Sequence, residues 1–196
     1  YLDSMGLGDV HAEYLLDRLE TASGPERAEL ARRLSAVYLD LLQDDSGTID
    51  RQLWAERAAT LLRAVPEADS PSLRLGLAQA AYLKAEETAE RHVLLLAEER
   101  ELADAQRILR EVGPTFVGLA QQSHRDAERL ERELAKQLTR EEEDEVSEQL
   151  AEARRARSIS FYFAGWTSSY TAELGGNRQA ADQALRHFGW ILGARD

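Results

Sequence analysis

Between Ser158 and Leu192 the chain carries two amphipathic runs separated by a glycine break, and this segment limits the possible folds more than any other. Ser158 to Leu174 reads Ser-Ile-Ser-Phe-Tyr-Phe-Ala-Gly-Trp-Thr-Ser-Ser-Tyr-Thr-Ala-Glu-Leu, and Gly175-Gly176-Asn177 then interrupts it. From Arg178 to Leu192, Ala180, Ala181, Ala184, Leu185, Phe188, Ile191 and Leu192 fall at helical spacing. Apolar residues recurring at intervals of three and four line one face of an α-helix. The segment therefore predicts an aromatic-rich helix, a tight turn and an alanine-rich helix.

The same periodicity fills the rest of the chain. Only 4 prolines and 12 glycines occur in 196 residues, so long stretches run without a breaker. Leu, Ala, Glu and Arg dominate, and these are strong helix formers. Asp9 is placed to cap a helix over Val10 to Thr21. A second runs from Pro25 to about Leu42, with Leu30, Leu34, Val37, Tyr38 and Leu41 as its apolar side. Asp44 to Thr48 reads as a turn, and Asp50 caps a third helix from Arg51 to Ala64, which Pro66 stops. Ser70-Pro71 opens a fourth, running to Leu96, because proline tolerates a first turn whose N–H would be unpaired anyway. A fifth spans Glu99 to Val112, Gly113-Pro114 marks a joint, and a sixth runs from Thr115 to Leu138. Thr139 with Glu142 forms a capping box that opens a long helix from Arg140 to Leu174. No segment alternates with period two for long enough to argue a strand. The fold class is all-α, with about eight helices in antiparallel pairs.

Gln121 to Arg157 is highly polar around a thin seam of Leu130, Leu134, Leu138, Val146, Leu150 and Ala153. Such a seam suits an antiparallel helical hairpin that sees little other core. Ile159 to Trp166, later in the same helix, is apolar all round and is expected between neighbours. A protruding hairpin inserted at about 115–157 accounts for both.

A net charge of -12 disfavours nucleic acid and anionic membrane surfaces, which require a concentrated positive field. The absence of cysteine removes disulfides, thiolate metal sites and Cys nucleophiles together. No run approaches the ~20 apolar residues that span a bilayer, so a soluble chain is expected, with its compartment undecided. It opens on Tyr1 without a signal-peptide core, and is expected to be a fragment or processed form of a longer protein.

His11, His92, His124 and His187 stand on different predicted helices. None follows a glutamate by three, and no His-Glu-x-x-His occurs, so neither di-iron nor zincin chemistry is indicated. Gly6-Leu7-Gly8 lacks a preceding strand and a third glycine. The acidic run Glu141 to Glu145 reads as a solvated helix start that complements the helix dipole. No cofactor, metal or catalytic group is expected.

The pair 158–192 resembles the tetratricopeptide repeat, in which small residues stand where two helices cross. With Tyr170 aligned to the aromatic that ends the first helix, Ala181, Leu185 and Phe188 take the small, bulky and packing positions of the second. A looser resemblance covers 71–112, carried by Leu75-Gly76-Leu77-Ala78 and then Ala105, Leu109 and Val112. The resemblance implies one repeat-like domain over 1–196, stacked as a right-handed superhelix (an α-solenoid). It also implies a non-enzymatic scaffold that binds a protein or peptide, with neither nucleic acid nor membrane insertion expected. A helical accessory or regulatory domain of a larger enzyme or transport protein is the alternative.

In that family the first helix of each pair lines a concave groove for extended peptides. The resemblance places Arg154, Arg155, Arg157, Tyr162, Trp166 and Tyr170 there, and arginine with aromatics is the composition of binding hot spots. The same residues also read as core aromatics, with the arginines paired to Glu148 and Glu152.

Overall fold

The computed structural model describes residues 7–44, 50–137 and 139–193. These residues form seven α-helices and one turn of 3-10 helix, with no strand among them. In chain order they are α1 (Gly8–Thr21), α2 (Gly24–Gln43), α3 (Arg51–Ala64), the 3-10 turn (Pro66–Ala68), α4 (Pro71–Val93), α5 (Glu99–Leu134), α6 (Arg140–Gly175) and α7 (Arg178–Leu192). The all-α expectation holds. The chain divides into two compact units, Tyr1–Ala80 and Ala81–Asp196.

In the first unit the helical stripes meet in one core. Ala12, Leu15 and Leu19 of α1, Leu34, Tyr38 and Leu41 of α2, Trp54, Ala58 and Leu61 of α3, and Leu73 of α4 are all buried there. The Tyr38 and Trp54 rings lie 5.7 Å apart, and the Arg57 guanidinium sits 4.7 Å from the Trp54 ring centre. Arg57 also forms an ion pair with Glu13. The buried Ser35 hydroxyl lies 2.9 Å from the Ala31 carbonyl and 2.8 Å from that of Ala68, tying the 3-10 turn to α2.

Two of the expected caps in this unit form. Asp50 accepts the Leu53 N–H and Ser70 accepts that of Leu73, each at 3.1 Å. The first helix differs: it starts at Gly8 after Leu7, so Asp9 lies within its first turn. There the carboxylate accepts the adjacent Val10 N–H and still faces the positive end of the helix dipole. Of the earlier expectations, Gly6, the turn residues after Asp44 and the seam residue Leu138 lie outside the described residues.

The second unit is organised by α5 and α6, each 36 residues long. Gln106 bonds the Leu174 carbonyl, Arg157 approaches His124 and Arg154 pairs with Glu131, an order that makes the two helices antiparallel. The joint expected at Gly113-Pro114 is absent, and α5 continues through it. An interior proline costs about 3 kcal/mol. Against this, Leu109, Val112, Phe116 and Leu119 form an uninterrupted buried stripe across the site, each contributing ~1.5–3 kcal/mol. Burial exceeds the local penalty, and two expected helices become one.

Tyr82, Phe116, Phe163 and Tyr170 form an aromatic centre, with Phe163 stacked on Phe116 at 5.3 Å and edge-on to Tyr82 at 5.1 Å. The Tyr82 hydroxyl donates to Glu86 at 2.6 Å, and burial followed by this bond pushes its ionisation well above the ordinary phenol range. Towards the α5–α6 turn the core narrows to Ala127, Leu130, Val146 and Leu150, flanked by Leu134 and Ala153. Glu142 accepts the Thr139 N–H and hydroxyl, each at 2.8 Å, completing the expected capping box. These bonds hold the Glu142 carboxyl below its usual range.

The fourth helix stops at Val93, short of the expected Leu96. Leu95 adopts φ +59°, a left-handed conformation that costs a non-glycine residue roughly 1–2 kcal/mol. Arg91 secures this turn by bonding both Glu101 carboxylate oxygens, at 2.9 and 3.1 Å, and the Leu96 carbonyl at 3.1 Å. No described helix is long and apolar enough to cross a membrane.

Candidate functional site

The candidate site is built around the α6–α7 pair. The cap Gly176 ends α6 at φ +61°, where a side chain would be strained, and its N–H bonds the Ala172 carbonyl. Asn177 then starts α7 by accepting the N–H groups of Gln179 (3.0 Å) and Ala180 (3.3 Å). The returning helix buries Ala180 and Ala184. At Gly165 a Cβ would stand only 2.6 Å from the Phe188 ring, so the missing side chain is what admits that ring.

Of the six residues singled out in the sequence, the three aromatics form one row along α6, Tyr162 6.3 Å from Trp166 and Trp166 5.7 Å from Tyr170, and two of the three arginines engage α5. Tyr170 belongs to the core, 6.2 Å from the Tyr82 ring and 5.7 Å from Trp166. Its ionisation is pushed up to about 12, first by burial and then by the nearby carboxylates of Glu86, Glu90 and Glu173. Trp166 is half-buried, edge-on to Phe188 at 5.6 Å, while Tyr162 is exposed. Arg154 pairs with Glu131 at 2.8 Å, and Arg157 lies 3.4 Å from His124 Nδ1. Both therefore engage α5, rather than Glu148 and Glu152 of their own helix. Arg155 is exposed.

Two other features of α7 stand out. Ala181, Leu185, Phe188 and Leu192 recur at intervals of four, three and four along one face, and Leu185 and Leu192 are 71% and 83% exposed. The sequence signal was present, since α7 carries this stripe beside the buried Ala180 and Ala184. Two adjacent apolar stripes exceed what one packing partner covers.

On the other flank of α7, a cleft of about 600 Å³ opens between α5, α6 and α7. Arg110 and Gln121 reach it from α5, Thr167, Ser168 and Thr171 from α6, and Gln183, Arg186 and His187 from α7. Pro114, Val117 and Ala180 supply apolar wall. His187 Nδ1 lies 3.4 Å from Ser168 Oγ. Burial lowers the His187 pKa, while a hydrogen bond to the Ala164 backbone opposes that shift. The Thr167 hydroxyl is buried without a hydrogen-bond partner among the described residues. Sequence reasoning missed this cleft, whose residues come from three helices without a shared motif.

The first unit holds a smaller groove of about 360 Å³, walled by Leu16, Leu19, Tyr38, Leu53 and Leu61 beneath Arg57. The four histidines lie on α1, α4, α5 and α7. No protein-family model, curated protein or solved structure matches this chain.

Proposed function

We propose that the chain is a non-enzymatic interaction module whose α6–α7 pair docks an amphipathic helix of a partner protein. The observation that carries this reading is the α7 stripe, with Leu185 and Leu192 largely in water beside the half-buried Phe188 and Trp166. Residues at intervals of three and four present a seam to a second helix, as in helix-in-groove recognition. Contiguous exposed apolar surface marks interaction sites, whereas isolated apolar residues do not.

The proposal retains a tetratricopeptide-like arrangement of stacked antiparallel pairs, in which each pair offers a face to the next element. Close helix approach at small residues supports it. Gly165 admits Phe188, and Gly76 of α4 faces Leu39 of α2 at 2.8 Å from where a Cβ would stand.

The test is capture of partner proteins by the chain and by its Leu185→Asp/Leu192→Asp variant. Both positions are exposed, so far-UV circular dichroism should not change. Proteins retained by the unmodified chain should be lost from the variant. Equal retention by the two would remove α7 from the interaction.

A further inference from the structure

We propose that the cleft between α5, α6 and α7 binds a small organic anion with a carboxylate or phosphate head and an apolar body. The chain holds 36 acidic against 24 basic residues, yet no Asp or Glu lines this cleft. Its charged side chains are Arg110 from α5 and Arg186 from α7, burial disfavours the charged form of His187, and the polar groups from α6 are hydroxyls. Both arginines are available. Arg110 uses only Nε, toward the Gln106 carbonyl of its own helix at 3.2 Å. Arg186 makes no hydrogen bond or ion pair among the described residues. Elsewhere many arginines are paired, as Arg91 is with Glu101 and Arg154 with Glu131. Two unpaired guanidinium groups at a concave, carboxylate-free surface form a local positive field on an acidic molecule.

The remaining chemistry fits such a ligand. Guanidinium forks match the planar carboxylate and the phosphate oxygens, and their charge-assisted bonds are the strong ones. Gln121, Gln183 and Ser168 add neutral polar groups that hold orientation. Pro114, Val117 and Ala180 offer apolar surface for the body of the ligand. The volume of about 600 Å³ lies within the ~300–1,000 Å³ of small-molecule sites. The cleft flanks α7 on the side away from Leu185 and Leu192, so this site stands or falls independently of helix docking.

Isothermal titration of the full chain with phenyl phosphate, benzoate, inorganic phosphate and benzylamine tests the assignment. One molecule of phenyl phosphate or benzoate should bind per chain, and whichever binds more tightly identifies the head group. Inorganic phosphate should bind more weakly than phenyl phosphate, and benzylamine should not bind. Arg110→Gln/Arg186→Gln should weaken the organic anion by about tenfold or more, the loss expected for charged hydrogen bonds. The Leu185→Asp/Leu192→Asp variant should bind it unchanged. Absence of saturable binding by both organic anions would overturn the proposal. So would unchanged affinity in the arginine variant, equal binding of benzylamine, or inorganic phosphate binding as tightly as phenyl phosphate. Both arginines are exposed, and the variant's helical circular dichroism verifies that lost affinity is not lost fold.

Discussion

Replacing Gly165 with alanine should reverse its effect on stability according to what stands at position 188. A buried helical glycine ordinarily gains about 1 kcal/mol on substitution by alanine, because the unfolded chain loses freedom and the helix gains propensity. At Gly165 the new Cβ would fall 2.6 to 2.8 Å from three atoms of the Phe188 ring. Carbon atoms rest at ~3.5–4.0 Å, so the ring must retreat by about 1 Å. Any such shift disturbs its packing on Trp166, whose ring centre lies 5.6 Å away. Overpacking of this kind costs typically ~1–3 kcal/mol. Subtracting the propensity gain leaves Gly165→Ala between neutral and about 2 kcal/mol destabilising. In a Phe188→Ala background the obstacle is gone, and the same substitution should stabilise by about 1 kcal/mol. The coupling in this double-mutant cycle is then ~1–3 kcal/mol. Urea unfolding of the four proteins, followed by far-UV circular dichroism and tryptophan fluorescence, measures it. Equal effects of Gly165→Ala in both backgrounds would refute the close approach of α6 and α7.

Phe116→Ala should cost about 3–5 kcal/mol, because the ring is fully buried and stacks on Phe163 at 5.3 Å, so truncation leaves a cavity. Urea denaturation checks this, and a loss below about 1 kcal/mol would contradict the aromatic centre. For His187 the folded pKa is depressed below 6.5, chiefly by burial. Below the unfolded value the unfolded state binds a proton that the folded state resists, so stability should be full above about pH 6.5 and fall as the pH drops through it. His187→Gln should flatten that portion of the stability profile relative to the unmodified chain, as followed by thermal melts at stepped pH. A variant with an unaltered slope would show that His187 is not the group responsible.

The local physics of helices was legible in the sequence. Spacings of three and four placed α3, α6 and α7 within a residue of their observed bounds, and Asp50, Ser70 and Thr139 cap as expected. Each of those signals acts over about one helical turn, so neighbouring residues suffice to read it. The narrow seam of Leu130, Val146 and Leu150 was legible for the same reason. Tertiary structure decided the remainder. Pro114 lies inside α5 because a buried stripe on both sides outweighs a local penalty, and no window of sequence contains the helix that buries it. Tyr170 and Trp166 belong to one aromatic run, yet the first joins the core and the second stays half-buried. Helical periodicity marks a face but not the partner that covers it. Arg154 and Arg157 turn to α5, and Arg110 meets Arg186 across a shared cleft, because distant segments lie side by side only after α5, α6 and α7 have packed.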